Sequence, residues 1–161
     1  MLKEYNVRIE ISKGSNVKYE FDHVNNNLIC DRILHTPFSY FFNYGYIENT
    51  LGGDGDPLDA IVLCEDSLFP TCLIKCRPIG LLSTIDNEGE DDKIIMVPIT
   101  RVDPSYKDVI ELSQLNENLL DKIKFFFENY KKLEKNKWVK INHWGNSQEA
   151  YDIIKKYTIS E

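Results

Sequence analysis

Asp54, Asp56 and Asp59 fall within six residues, in the stretch Leu51-Gly-Gly-Asp-Gly-Asp-Pro-Leu-Asp59. Gly52, Gly53 and Gly55 allow sharp backbone turns there, and Pro57 stiffens the backbone leading to Asp59. Two carboxylates about 4 Å apart repel by roughly 4 kcal/mol at an effective dielectric near 20. A cation between them would remove that cost, and a hard ion such as magnesium suits carboxylate and water oxygens. A solvated acidic turn explains the same residues equally well, because Asp and Gly dominate turns. A calcium loop fits poorly. Counted from Asp54, the sixth position holds Asp59 where an EF-hand needs Gly, although the twelfth holds Glu65. A second acidic cluster, Asp86 to Asp92 around Gly89, leads into Lys93 and an apolar strand.

The elements that must position these groups read as strands first and helices last. Tyr5, Val7, Ile9 and Ile11 alternate with Asn6, Arg8, Glu10 and Ser12, the period of a half-buried strand. A turn at 13–16 leads to a second strand with Lys18, Glu20 and Asp22 on its polar face, and the two strands are expected to form a hairpin. Further strands are expected at 28–34, 60–64, 73–82 (interrupted by Pro78), 94–99 and 135–141 with Trp138. From Leu115 the period becomes helical through Leu119, Leu120, Ile123, Phe126, Phe127 and Tyr130. Asn146 caps a last helix, with Glu149 in the capping-box position. This order predicts an α+β fold, a small β-barrel with helices outside it.

The chain has 161 residues, 42% of them hydrophobic, and the expectation is one globular domain over 1–161. A net charge of −7 argues against nucleic acid or anionic membrane as a partner. No apolar run approaches 20 residues and no signal-like stretch opens the chain, so the expectation is a cytoplasmic protein without a membrane span. Cys30, Cys64, Cys72 and Cys76 lie in apolar surroundings and read as reduced, structural thiols. The spacing of Cys72 and Cys76 lacks the partners that zinc requires.

Tyr44-Gly-Tyr-Ile47 followed by Asp54-Gly-Asp-Pro-Leu-Asp59 resembles the signature of soluble family I inorganic pyrophosphatases. So do Ile9-Glu-Ile11, Lys18-Tyr-Glu20, Asp31-Arg32, Cys76-Arg-Pro-Ile-Gly80, Gly89-Glu-Asp91 with Lys93, Phe126 to Lys131 and Leu133 to Val139. The resemblance implies a closed five-stranded β-barrel of OB type with flanking α-helices, and Mg²⁺-dependent hydrolysis of pyrophosphate to two phosphates. By the same resemblance, Asp54, Asp59 and Asp91 hold a tight magnesium. Asp59 shares in a second, Asp86 helps bind further metal, and Glu10 and Glu20 bind metal or its water at the rim. Asp56 is the general base for the attacking water. Lys18, Arg32, Lys93, Tyr130 and Lys131 hold phosphate oxygens, and Tyr40 and Tyr44 line the site. Two metals can lower the pKa of a water and shield a polyanion from its nucleophile, while Lys and Arg stabilise the leaving phosphate. Family relatives assemble as dimers or hexamers, so a homo-oligomer is expected. The sequence departs from the family at Phe41-Phe42, where a proline and a smaller residue are usual, and at Asn87, where an acid is common. Two other functions compete. An OB-type oligonucleotide module would use Tyr40, Phe41, Tyr44 and Tyr46 for stacking, against the unfavourable charge. A nucleoside triphosphatase would need a phosphate-binding Gly-rich loop, which is absent.

Overall fold

A computed structural model describes residues 2–159. Eight strands and two α-helices run in the order β1 (Tyr5–Ile11), β2 (Val17–Asp22), β3 (Asn27–Ile33), β4 (Asn43–Ile47), β5 (Asp59–Val62), β6 (Leu73–Asp86), β7 (Gly89–Pro98), α1 (Glu117–Asn129), β8 (Val139–Gly145) and α2 (Ser147–Tyr157). The pairing runs β1-β4-β5-β7-β6, and β6 pairs back onto β1, closing a ring of five strands. The expected five-stranded closed sheet with flanking helices is therefore present. β8 extends the sheet beyond β6, and β2 and β3 form a separate two-stranded hairpin. No helix among the described residues is long and apolar enough to cross a membrane.

The expected hairpin between β1 and β2 does not form. Both edges of β1 are taken, by β4 and β6, because the ring closes only through it. The turn after β1 bonds instead to Tyr40, whose N–H donates to the Ser15 carbonyl at 2.7 Å and whose carbonyl accepts from Gly14 N–H at 2.6 Å. Val7 and Ile9 pack in one apolar cluster with Ala60, Ile94 and α2 residues Ala150 and Ile154. A register shift between Ile9 and Ile11 sends Ile11 into the other cluster, with Tyr40, Phe42, Ile95 and α1 residues Phe126 and Phe127. β7 is buried on both faces, which is why Ile94 to Val97 shows no alternation.

Several boundaries differ from expectation. β6 passes through Pro78, and a bulge between Pro78 and Gly80 absorbs the missing N–H. The second acidic cluster spans the turn from β6 into β7. Asp86 pairs with Gly89 across a two-residue turn, and Asp91 and Asp92 already lie in β7. Gly89 has φ +123°, which a side chain would strain. α1 begins after Leu115 because the Asn116 side chain accepts from Asn118 N–H at 2.8 Å and caps it. β8 starts after Trp138, since Asn136 at φ 63° prolongs the turn. Asn146 caps α2 with Glu149, as the sequence indicates. The four thiols are free. Cys64 and Cys76 are buried and Cys72 is half-buried, but Cys30 is exposed on the hairpin, contrary to its expected apolar setting.

β4 and β1 approach closely at Gly45, where a Cβ would stand 1.9 Å from the Arg8 carbonyl oxygen. Backbone cannot yield there as a side-chain tip would. Gly45→Ala is expected to cost about 3 kcal/mol, the upper end for overpacking. That lowers the melting temperature by roughly 6–12 °C, measurable by calorimetry.

Candidate active site

Asp59 opens β5 and pairs in parallel register with Lys93 of β7. Asp91 lies two residues before Lys93 on the same strand and so on the same face. The three side chains consequently meet. Lys93 Nζ donates to Asp91 Oδ2 at 2.9 Å, to Asp59 Oδ2 at 3.1 Å and to the Tyr44 hydroxyl at 2.6 Å. It also stands 4.8 Å from the centre of the Phe127 ring, a cation–π contact. Only 4% of the Lys93 side chain is exposed. Burial disfavours its charge, but Asp91, Tyr44 and Asp59 outweigh that and hold its pKa well above the usual lysine value.

One ammonium does not satisfy both acids. Burial lifts the Asp59 carboxyl to about 8 against the pull of Lys93, with Asp91 adding to the rise. Asp91 moves the other way. Burial alone would raise it, but Lys93, a hydrogen bond from Asp59 and the more distant Lys131 bring it below the usual range. Of the pair, Asp59 is thus the more basic carboxyl.

The rest of the site surrounds this trio in a cleft of about 380 Å³. Glu10, Lys18, Glu20, Arg32, Tyr40, Tyr44, Asp54, Asp56, Asp59, Asp86, Asp91, Lys93, Tyr130 and Lys131, all nominated from the sequence, line it. Lys18 and Arg32 are cross-strand neighbours in the β2–β3 hairpin. Lys18 Nζ lies 3.5 Å from Asp31 and 3.9 Å from Glu20. Glu10 accepts from Phe21 N–H at 2.8 Å, and burial carries its carboxyl up to about 7 despite that bond and Lys18. Lys131 lies just beyond α1 and donates to Asp86 at 3.3 Å. Burial raises the hydroxyl pKa of Tyr40 and Tyr44 well above normal and that of Tyr130 to about 12, so all three stay protonated.

Asp54 Oδ1 accepts from Asp56 N–H at 3.0 Å and shapes the turn before β5. The Asp56 carboxylate makes no hydrogen bond among the described residues. Partial burial, then the charges of Asp54, Glu20, Glu88 and Asp91, raise its pKa.

Asp31, Glu88, Glu90 and Lys137 also line the cleft without having been nominated. Glu88 and Glu90 lie within the second acidic cluster, and Asp31 adjoins Arg32, so proximity in sequence was an available signal. Among the described residues, the cleft has ten carboxylates to five lysines and arginines. This surplus of hard oxygen donors fits divalent cations such as magnesium. Among the described residues no three such side chains are gathered into a ready-made metal cage. Lys93 lies between Asp59 and Asp91.

The family model described as inorganic pyrophosphatase matches residues 7–160. The chain is 50% identical over 153 residues to the inorganic pyrophosphatase of Saccharolobus solfataricus, covering 95% of this chain and 89% of that one. It is 46% identical to that of Aquifex pyrophilus, covering 93% and 85%. Among solved structures, the Helicobacter pylori inorganic pyrophosphatase superposes with a TM-score of 0.94 at 41% identity, covering 98% of this chain and 95% of that one. The Thermus thermophilus enzyme gives 0.92 at 34% identity, covering 96% and 89%.

Proposed function

This chain belongs to the inorganic pyrophosphatase family, and we propose that it hydrolyses pyrophosphate to two orthophosphates with magnesium, as a single cytoplasmic domain. The observation that carries this reading is the gathering of Asp54, Asp56, Asp59 and Asp91 with Lys18, Arg32, Lys93 and Lys131 in one cleft. Acids there suit cations, and bases suit phosphate oxygens.

Asp54, Asp59 and Asp91, with Asp86, Glu10 and Glu20 around them, would hold divalent ions, which would supply charge shielding and a more acidic water. The protein's own groups do the rest. Asp56 has a free carboxylate and takes the proton from the attacking water. Arg32 and Lys18 on the hairpin, with Lys131 after α1, bind the phosphate oxygens and stabilise charge on the leaving phosphate. Tyr130 and Tyr44 stay neutral and act as hydrogen-bond donors. Lys93 offsets the charge of Asp91 and lines the cleft, where its ammonium would face a phosphate oxygen.

Phosphate release from pyrophosphate is expected with magnesium, little with excess chelator, and far less from ATP at equal concentration. Equal release from ATP would favour the broader triphosphatase. Retention on single-stranded DNA in moderate salt would favour the oligonucleotide module. Lys131→Ala removes a charged hydrogen-bond donor worth about 1.5–3 kcal/mol. KM for pyrophosphate should rise about ten- to hundredfold in steady-state kinetics, and an unchanged KM would remove Lys131 from the phosphate site. A homo-oligomer, dimer or hexamer, is part of this reading. The exposed Phe125 packed 6.0 Å from Phe38 offers an apolar surface consistent with it. Light scattering at monomer mass would refute it.

A further inference from the structure

Glu134 has no role in the proposed hydrolysis, yet it is among the most enclosed acids in the protein, with 6% of its side chain exposed. It stands in the turn after α1, where its N–H donates to the Lys131 carbonyl at 3.0 Å. Its carboxylate reaches 102 residues back along the chain to Arg32. Arg32 Nε lies 2.9 Å from Glu134 Oε1 and 3.0 Å from Oε2, so both oxygens close on one N–H. Arg32 Nη1 bonds its neighbour Asp31, and Nη2 has no hydrogen bond among the described residues. The guanidinium is held by one part and left free at another.

We infer that Glu134 is a positioning residue: it clamps the Nε side of Arg32, so that the free Nη2 is presented to a phosphate oxygen in the cleft. This inference rests on reading Arg32 as a phosphate ligand. The need for a clamp comes from the topology. The β2–β3 hairpin that carries Arg32 shares no strand pairing with the five-stranded ring among the described residues. The turn carrying Glu134 is anchored to α1, whose Phe126 and Phe127 are buried in the core. A second tie runs in parallel, from the Thr36 hydroxyl to the Tyr130 carbonyl at 3.0 Å. Arg32 and Lys131 therefore come from distant segments that Glu134 and Thr36 bind together. An unclamped arginine samples many rotamers and must lose that freedom when it meets phosphate, whereas a held one has already lost it. Lys137, 3.7 Å from Glu134 Oε1, is 40% exposed and a weaker competitor for the carboxylate.

The test is a double-mutant cycle on the magnesium-loaded enzyme, using Glu134→Ala, Arg32→Ala and the pair. Glu134→Ala is expected to lower kcat/KM for pyrophosphate about tenfold, the loss of one charge-assisted hydrogen bond. On the Arg32→Ala background the same change should have almost no effect. The rise in melting temperature on adding magnesium should be unaltered by Glu134→Ala, since the acids at Asp59 are untouched. If Glu134→Ala does not fold, Glu134→Gln, which keeps the shape and loses the charge, takes its place in the cycle. A fall in kcat/KM of equal size with and without Arg32 would overturn the clamp, as would no fall at all. Normal turnover in Arg32→Ala itself would overturn both the clamp and the phosphate role of Arg32. The absence of any pyrophosphate hydrolysis by the unaltered enzyme would instead refute the proposed function, and the clamp with it.

Discussion

Asp56→Asn is expected to lower kcat by about 10²–10⁴-fold, the usual contribution of a positioned general base. The amide is close in shape to the carboxylate but cannot accept a proton from water. The turn should survive the change, because its hydrogen bonds use other atoms. Asp56 N–H donates to Asp54 Oδ1, and the Asp56 carbonyl accepts from Gly52 N–H at 2.7 Å. Stability should not fall either. Partial burial and neighbouring acids raise the pKa of Asp56, so its ionised form is one the fold resists. The magnesium-induced rise in melting temperature should also persist. The pH profile offers a separate check. The acid limb of kcat/KM in the unaltered enzyme reports the group that must be ionised to act as base. That limb should change or vanish in the variant. Turnover within a few-fold of normal would assign the base elsewhere.

Asp59→Asn is expected to separate stability from activity. The folded-state pKa of Asp59, about 8, exceeds that of an unfolded carboxyl. Its contribution to stability is therefore full below about pH 4 and is lost as pH rises through about 8. Asparagine cannot ionise and avoids that loss, while Lys93 keeps Asp91 at 2.9 Å and the Tyr44 hydroxyl at 2.6 Å. At pH 8 the metal-free variant should melt higher than the metal-free parent, with the difference shrinking towards pH 4. With magnesium the order should reverse. A ligand at 100 times its Kd stabilises by about 2.7 kcal/mol, and the variant should forfeit most of that gain. Activity should fall at least about 100-fold, more than the loss typical of residues that merely support a metal ligand. Thermal melts at two pH values, with magnesium and with chelator, decide it. A lower melting temperature at every pH, or an unreduced response to magnesium, would show that Asp59 stabilises the fold and does not hold a cation.

Much of the site was legible because it is encoded locally. The acids at 54–59 and 86–92 are clustered in sequence, and Glu10, Lys18 and Glu20 stand at alternate positions of strands whose period is visible. Asn146 and Glu149 announced α2 through a capping pattern four residues long. What stayed hidden depends on pairings between distant segments. β4 has no alternation because it is buried throughout, so Asn43 to Ile47 gave no strand signal. The β1–β2 hairpin looked sound until both edges of β1 proved to be needed elsewhere. The contact of Lys93 with Asp59 arises from the parallel register of β5 and β7, and that of Arg32 with Glu134 from a turn 102 residues away. The sequence by itself determined which groups are present, the period of most strands and the ends of α2. Only the tertiary structure decided which acid shares which base. Periodicity and capping are energies of neighbouring residues, whereas the partner of a buried charge is chosen by how the ring closes and how much water that closure removes.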